Sequence, residues 1–182
     1  MTQPRILSVS ARRGHHFSKT PQLSIRLLAG LGVERDGHMG ERVKHRSRAR
    51  FNPMLPNLRQ VHLLDAGFVA HCAALGFALS PGDVGENILV EGIDLIALPT
   101  DTLLHLGKGG AVVRVTGLRN PCVQMDRFMP GLMAASLRRD ADGELIRLSG
   151  VMSVVEVGGE VVAGDAVRVV VPEGEFVALK PV

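Results

Sequence analysis

Cys122 is one of only two cysteines in the chain; it follows Asn120-Pro121 directly and stands three residues after Arg119. A cysteine acts as nucleophile or soft-metal ligand through its thiolate, and nearby positive charge favours that form. A strand-like run from Val112 to Thr116 precedes it, and Gly117 permits a sharp bend. Asn120-Pro121 is a turn dipeptide, and the proline keeps Asn120 out of helical geometry. These features predict a thiol held on a stiff loop beside a sheet, close to a fixed cation. On local chemistry alone, a buried structural thiol is the competing reading. Cys72 differs, because "AGFVAHCAAL" surrounds it with small apolar residues and packing accounts for it.

Two other segments carry groups that can do chemistry. In "GDVGENILVEG", Gly82 and Gly85 let the backbone come close to a ligand, while Glu86 and Asn87 offer an acceptor and an amide. A tight turn feeding a strand explains the same residues, and taken alone that explanation is the better one. In "ERDGHMGERVKHRSRAR", Asp36, His38 and Glu41 lie among Gly37 and Gly40, and Arg42, Lys44, Arg46, Arg48 and Arg50 then recur at every second position. An extended chain would put these five cations on one face, which suits phosphate. A solvated charge run fits equally well. Asp36 and His38 have the types of a metal-binding or acid–base pair, with no third ligand apparent. Arg59 and His62 lie on or beside a strand; His62 alternates with Val61 and Leu63, and a satisfied structural histidine is the preferred reading.

The elements that must position these groups are short. Ile6–Val9 reads as a strand, followed by the irregular "SARRGHHFSKT" and a moderately apolar stretch from Pro21 to Leu31. Gly32 to Gln60 is a long charged loop with little periodicity, read as an active-site or binding loop. Gln60–Leu64 resumes as a strand, Asp65 caps a helix over Ala66–Leu75, and Gly76 stops it. Leu103 to Thr116 is a hairpin turning at Gly107–Gly110, Pro130 opens a helix through Leu137, and strands separated by glycine turns follow Gly150. Many short strands, two or three peripheral helices and no alternating strand–helix rhythm predict a mainly β fold built as a closed or nearly closed barrel.

The totals bound the function. The 182 residues fit one domain over 1–182, and 46% hydrophobic content suffices for a core. A net charge of +3, with no Trp or Tyr, argues against a stacking platform for nucleic acid. The N-terminal residues lack the pattern of a signal peptide, no run is long enough for a membrane span, and the cysteines form no zinc or disulfide pattern. A cytoplasmic, reducing setting is the expectation, one that leaves a thiol free.

In combination, Gly85-Glu86-Asn87 followed later by Arg119-Asn120-Pro121-Cys122, with "GVERDGHMG", "RQVHLLD" and "SGVMSVVEVGGEVVAGDAVRV", resembles the MOSC domain, named after the C-terminal part of molybdenum cofactor sulfurases. The resemblance spans nearly the whole chain. It implies a β-barrel of the MOSC, pyruvate-kinase-barrel type and an essential cysteine, here Cys122, as molybdenum ligand and catalytic residue. It implies binding of molybdenum cofactor (molybdopterin), with reduction of N-hydroxylated or N-oxide compounds as the activity, or else sulfur carriage as a persulfide on Cys122. Arg119, Asn120, Asn87, Glu86, Gly85, His38, Asp36, Arg42, Lys44 and Arg46 are the implied cofactor-binding residues. "RDGHMG" departs from the more usual Gly-Asp opening because Arg35 precedes Asp36. A reductase would take a small-molecule substrate and an external electron donor. A carrier would take sulfur from a separate donor protein, the only place where pyridoxal phosphate enters. A non-catalytic polyanion-binding module is the remaining reading, ranked last.

Overall fold

Alternation of faces along the buried strand β5 (Val61–Asp65) explains how the sheet serves both core and site. Val61 and Leu63 enter one apolar cluster, Leu64 enters a second, and His62, also buried, reaches a cleft. The computed structural model describes residues 3–44 and 52–182. Its remaining strands are β1 (Arg5–Ala11), β2 (Thr20–Gln22), β3 (Ser24–Leu28), β4 (Gly32–Val33), β6 (Ile88–Glu91), β7 (Leu103–Leu106), β8 (Ala111–Leu118), β9 (Leu137–Arg139), β10 (Leu145–Arg147), β11 (Val151–Val157), β12 (Gly159–Val162) and β13 (Val167–Val170). Three α-helices among the described residues are α1 (Ala66–Ala74), α2 (Val123–Phe128) and α3 (Leu132–Ala135). None is long and apolar enough to cross a membrane.

The main sheet has eight strands in the order β13-β7-β8-β11-β5-β6-β1-β2; β12-β3-β4 form a smaller sheet, and β9 pairs with β10. Only β5 and β6 run parallel, and the helix of their crossover is α1. The fold is mainly β with helices, as expected. The barrel expectation meets an open ladder whose ends approach without merging. Ile6 N–H donates to Asp165 O at 2.8 Å and Val167 N–H to Pro4 O at 2.8 Å, and Arg5 and Ala166 form an isolated bridge.

One core lies between the sheets, around Ile6, Leu27, Leu63, Ile88, Leu104 and Val113. The other joins Leu64 and Leu89 to Phe68, Cys72, Met125 and Leu132 of the helices. Asp65 caps α1 as its sequence predicts, accepting from Phe68 N–H at 3.1 Å, and Gly76 follows with φ of 88°. Cys72 is sealed in this core, and burial pushes its thiol up to about 11.

Several local expectations are corrected. Gly117 makes no bend: it lies inside β8, where Lys180 O would stand 2.4 Å from an added Cβ, so close approach of backbone explains it. The helix expected from Pro130 shrinks to α3, while α2 begins directly after Cys122. The charged stretch after β4 is clamped at its base by Val43 N–H to Leu55 O (2.9 Å) and Asn57 N–H to Glu41 O (2.9 Å).

Candidate functional site

Loops after β1, β4 and β8 and the turn preceding β6 converge on one cleft of about 520 Å³, within the usual range of small-molecule sites. The loop after β1 contributes His15, His16, Phe17 and Lys19, and that after β4 contributes His38. The turn before β6 gives Val84, Gly85 and Asn87; the segment after β8 gives Arg119, Asn120, Cys122 and, entering α2, Val123 and Gln124. Arg59, His62 and Met152 complete it.

The loops are locked by backbone contact. Lys19 N–H donates to Gly82 O at 2.8 Å, and a Cβ on Gly82 would meet Lys19 O at 2.3 Å. At Gly85, with φ of 83°, a Cβ would meet Phe17 O at 2.4 Å. Both glycines therefore admit another part of the chain itself. Glu86 closes the same turn by accepting from Gly82 N–H. Its Oε2 is buried without a hydrogen-bond partner, and burial raises its carboxyl above the ordinary value.

Asn87 ties three elements together. Its backbone bonds Ser10 and His62, its Oδ1 accepts from His62 N–H (3.2 Å), and its Nδ2 donates to Ser10 O (3.1 Å) and Asp36 Oδ2 (3.2 Å). Its amide is thus committed to protein partners. Asp36 is buried beneath the cleft, bridged to Lys19 at 3.0 Å. Burial would raise its carboxyl, but hydrogen bonds from His38 and the Lys19 charge overcome this and hold it well below the ordinary range. Lys19 is itself buried, and desolvation lowers its ammonium against the opposing pull of Asp36. Arg35 takes φ of 62°, the left-handed region that favours glycine, at the position where the sequence departs from the more usual opening.

Arg119 is the second buried cation. Its backbone N–H donates to Gly150 O (2.9 Å), its guanidinium lies 5.9 Å from the Phe17 ring centroid, and Nη1 contacts Met125 Sδ at 3.4 Å. Burial lowers it, offset by attraction to Cys122 and Glu86. Among the described residues no carboxylate bridges it. Cys122 is free and half-buried at the N-cap of α2, with Sγ 3.7 Å from Gln124 Oε1. Asn120 is exposed, its Oδ1 accepting from Arg147 Nε at 2.9 Å. His62 is held neutral: burial drives it well below its ordinary value, and Nε2 lies 2.8 Å from Ser149 O.

The structure thus brings Cys122, Arg119, Asn120, Asn87, Gly85 and His38 to one cleft, with Asp36 directly behind. Arg42 and Lys44 are not among the residues that line it, and Arg42 Nη1 donates to Met54 O at 2.7 Å. Arg46, Arg48 and Arg50 lie outside the described residues. Sequence reasoning missed Lys19 and the pair His15-His16, which fell in a segment read only as irregular; its run of basic and histidine residues, "RRGHHFSK", was the available signal. Among the described residues no Asp or Glu lines the cleft, whereas Arg59, Arg119 and the Asp36-paired Lys19 do, so its field favours an anionic ligand.

Residues 37–168 match the MOSC domain family. Among solved structures, the YuaD protein of Bacillus subtilis superposes with a TM-score of 0.75 at 20% identity, over 92% of this chain and 96% of that one. YiiM of Geobacillus stearothermophilus gives 0.66 at 17% identity over 96% and 79% of the respective chains. YiiM of Escherichia coli gives 0.56 at 16% over 95% and 73%. At these identities the likeness speaks for the fold alone. No curated protein sequence matches the chain. With the family match covering most of its length and the whole chain folding like these structures, the protein belongs to the MOSC domain family.

Proposed function

We propose that the cleft binds molybdenum cofactor with Cys122 as the molybdenum ligand, and that the loaded protein reduces N-hydroxylated or N-oxide compounds. One observation carries the reading: a half-exposed thiol shares a cleft with Arg119, a buried cation that no carboxylate bridges among the described residues. The family is associated with this cofactor, a pterin dithiolene bearing a phosphate, and the residues present fit such a group. A thiolate is a soft donor suited to a sulfur-rich molybdenum centre. Arg119, stacked on Phe17 and bridged to no carboxylate, is placed to meet the ligand's negative charge. Lys19 adds a second cation, held by Asp36. Phe17, Val84 and Met152 provide apolar wall for the flat part of a ligand. The bound group would supply the electron pair for reduction, drawn from an external donor. The chain's own residues bind, orient and balance charge.

Protein expressed with molybdate is expected to retain molybdenum and a fluorescent pterin, and Cys122→Ser to lose the metal. Unchanged metal content in that variant would remove the assignment.

A sulfur-carrier reading rests on the same thiol, which stands beside the exposed side chains of Val123 and Gln124 and so is open to a partner protein. A persulfide on Cys122 would also gain from Arg119. Incubation with a cysteine desulfurase, a pyridoxal phosphate enzyme, followed by mass spectrometry separates the two. A stable sulfur adduct on Cys122 in pterin-free protein supports the carrier.

A further inference from the structure

We propose that the Asp36–His38 pair is the cleft's proton-delivery device: His38 gives, through Nε2, one of the two protons consumed in reductive N–O cleavage, and Asp36 positions it. The inference rests on the reductase reading and assigns roles within that site.

The argument begins with what Asp36 can do. Its side chain is completely buried. Oδ1 accepts from His38 N–H (3.0 Å) and Lys19 Nζ (3.1 Å), and Oδ2 from Asn87 Nδ2 (3.2 Å) and Arg12 N–H (3.3 Å). Surrounded by donors, the carboxyl stays ionised, and an ionised carboxylate only accepts. His38 Nδ1 lies 3.4 Å from Oδ1. At that distance a ring N–H facing the carboxylate is favoured over a lone pair, which selects Nδ1–H for the neutral ring and leaves Nε2 as the free ring nitrogen of a residue that lines the cleft. The His15 ring packs edge-on against His38, with centroids 6.0 Å apart and planes at 90°, and buttresses this orientation. The His38 side chain is 30% exposed, so solvent reaches it.

The buried histidine and lysine of the cleft are occupied. His62 is sealed, and its Nε2 is engaged by Ser149 O. Lys19 Nζ is held by both oxygens of Asp36 away from solvent. Glu86 is buried and does not line the cleft. A carboxylate that fixes an imidazole's tautomer while its other nitrogen faces the reacting group is a recurring arrangement for proton transfer.

The balance is that of R–NH–OH plus two electrons and two protons giving R–NH2 and water. The N–O bond breaks, and the oxygen leaves as water. The electron pair comes from the reduced molybdenum cofactor, restored by an external reductant. His38 in its doubly protonated form gives the Nε2 proton and is left as the neutral Nδ1–H ring; solvent supplies the second proton of the reaction and then returns one to Nε2.

The test has two arms. In ligand-free protein labelled with nitrogen-15 histidine, long-range proton–nitrogen correlation is expected to show neutral His38 as the Nδ1–H tautomer; an Nε2–H tautomer overturns the positioning by Asp36. In protein loaded with molybdenum, an aryl amidoxime is reduced with reduced methyl viologen as donor. His38→Gln is expected to keep its molybdenum and KM while kcat falls about 10²–10⁴-fold. A kcat within about threefold of wild type overturns the proposal, being far below what a general acid contributes. Loss of molybdenum from His38→Gln overturns it too, by making His38 a cofactor-holding residue. If loaded wild type does not turn over, the reductase reading fails first and takes this role with it.

Discussion

Arg119→Met separates a cation kept for a ligand from one kept for the fold. The guanidinium is buried, is bridged by no carboxylate, and is lowered by desolvation that Cys122 and Glu86 only partly offset. Exchanging a buried charge for an apolar chain of similar length is neutral or stabilising by roughly 1–4 kcal/mol. Against that gain stands the Phe17 contact at 5.9 Å, worth about 0.5–2 kcal/mol. The ligand-free variant should therefore melt within a few degrees of the wild-type temperature, at about 2–4 °C per kcal/mol for a chain of this length. Anion binding should move the other way. A hydrogen bond to a charged group contributes about 1.5–3 kcal/mol, so inorganic phosphate should bind roughly 10–150-fold more weakly. Phosphate at about a hundred times the wild-type Kd stabilises wild type by about 2.7 kcal/mol, whereas a hundredfold weaker site gains about 0.4 kcal/mol. Thermal melts at constant ionic strength, in phosphate and in chloride, read both effects. A variant that melts several degrees lower in chloride and still responds fully to phosphate would refute the reasoning. Lys19→Met supplies the contrast: it strands Asp36, ion-paired at 3.0 Å, without its partner, and should cost roughly 3–5 kcal/mol.

At Gly37 an added Cβ would lie 1.9 Å from Gly14 O, so Gly37→Ala must force apart the loops that carry His15, His16 and His38. A loss of roughly 1–3 kcal/mol in urea unfolding is expected, together with weaker phosphate binding; an unchanged urea midpoint would show that the two loops separate freely. His62 is neutral in the folded protein and its pKa lies well below the ordinary value, so below about pH 6.5 the unfolded chain binds the extra proton. Stability should therefore fall as pH drops below about 6.5, by up to about 1.4 kcal/mol per pH unit from this group. His62→Gln, which keeps a donor for Ser149 O, should flatten that slope; identical slopes in urea midpoints between pH 7 and 5 would count against a buried neutral imidazole.

Local signals with their own physics were legible in the sequence. The Asp65 cap, the Gly76 stop and the β7–β8 hairpin each depend on neighbouring residues, and each stands where its chemistry predicts. Gly117 was misread because a glycine required by tertiary contact, here with Lys180 O, looks the same as one required by a turn. The cleft was half legible. Cys122 and Arg119 advertise themselves by adjacency, whereas Lys19 meets Asp36 only through folding. Nothing in the spacing of "HHFSK" and "RDGH" encodes that pairing. For Arg42 and Lys44, alternation predicts a shared face only for an extended strand, and Arg42 forms an isolated bridge to Pro56.

The two buried cations divide the cleft's electrostatic task. Lys19 is neutralised from within by Asp36, so it costs the protein little repulsion and adds little net attraction for a ligand. Arg119 has no such carboxylate, and the attraction it offers is directed to the segment it shares with Cys122. A bound anion is therefore best placed on the Arg119–Cys122 loop, while the carboxylate that balances Lys19 faces His38 on another. Both loops are set before any ligand arrives: Gly37 seats one against Gly14, Asn87 joins it to β1 and β5, and the Gly150 carbonyl fixes Arg119 through its backbone. A site whose dipoles are already aimed loses little to reorganisation when charge develops in it. That is the return for burying groups that a core alone would exclude.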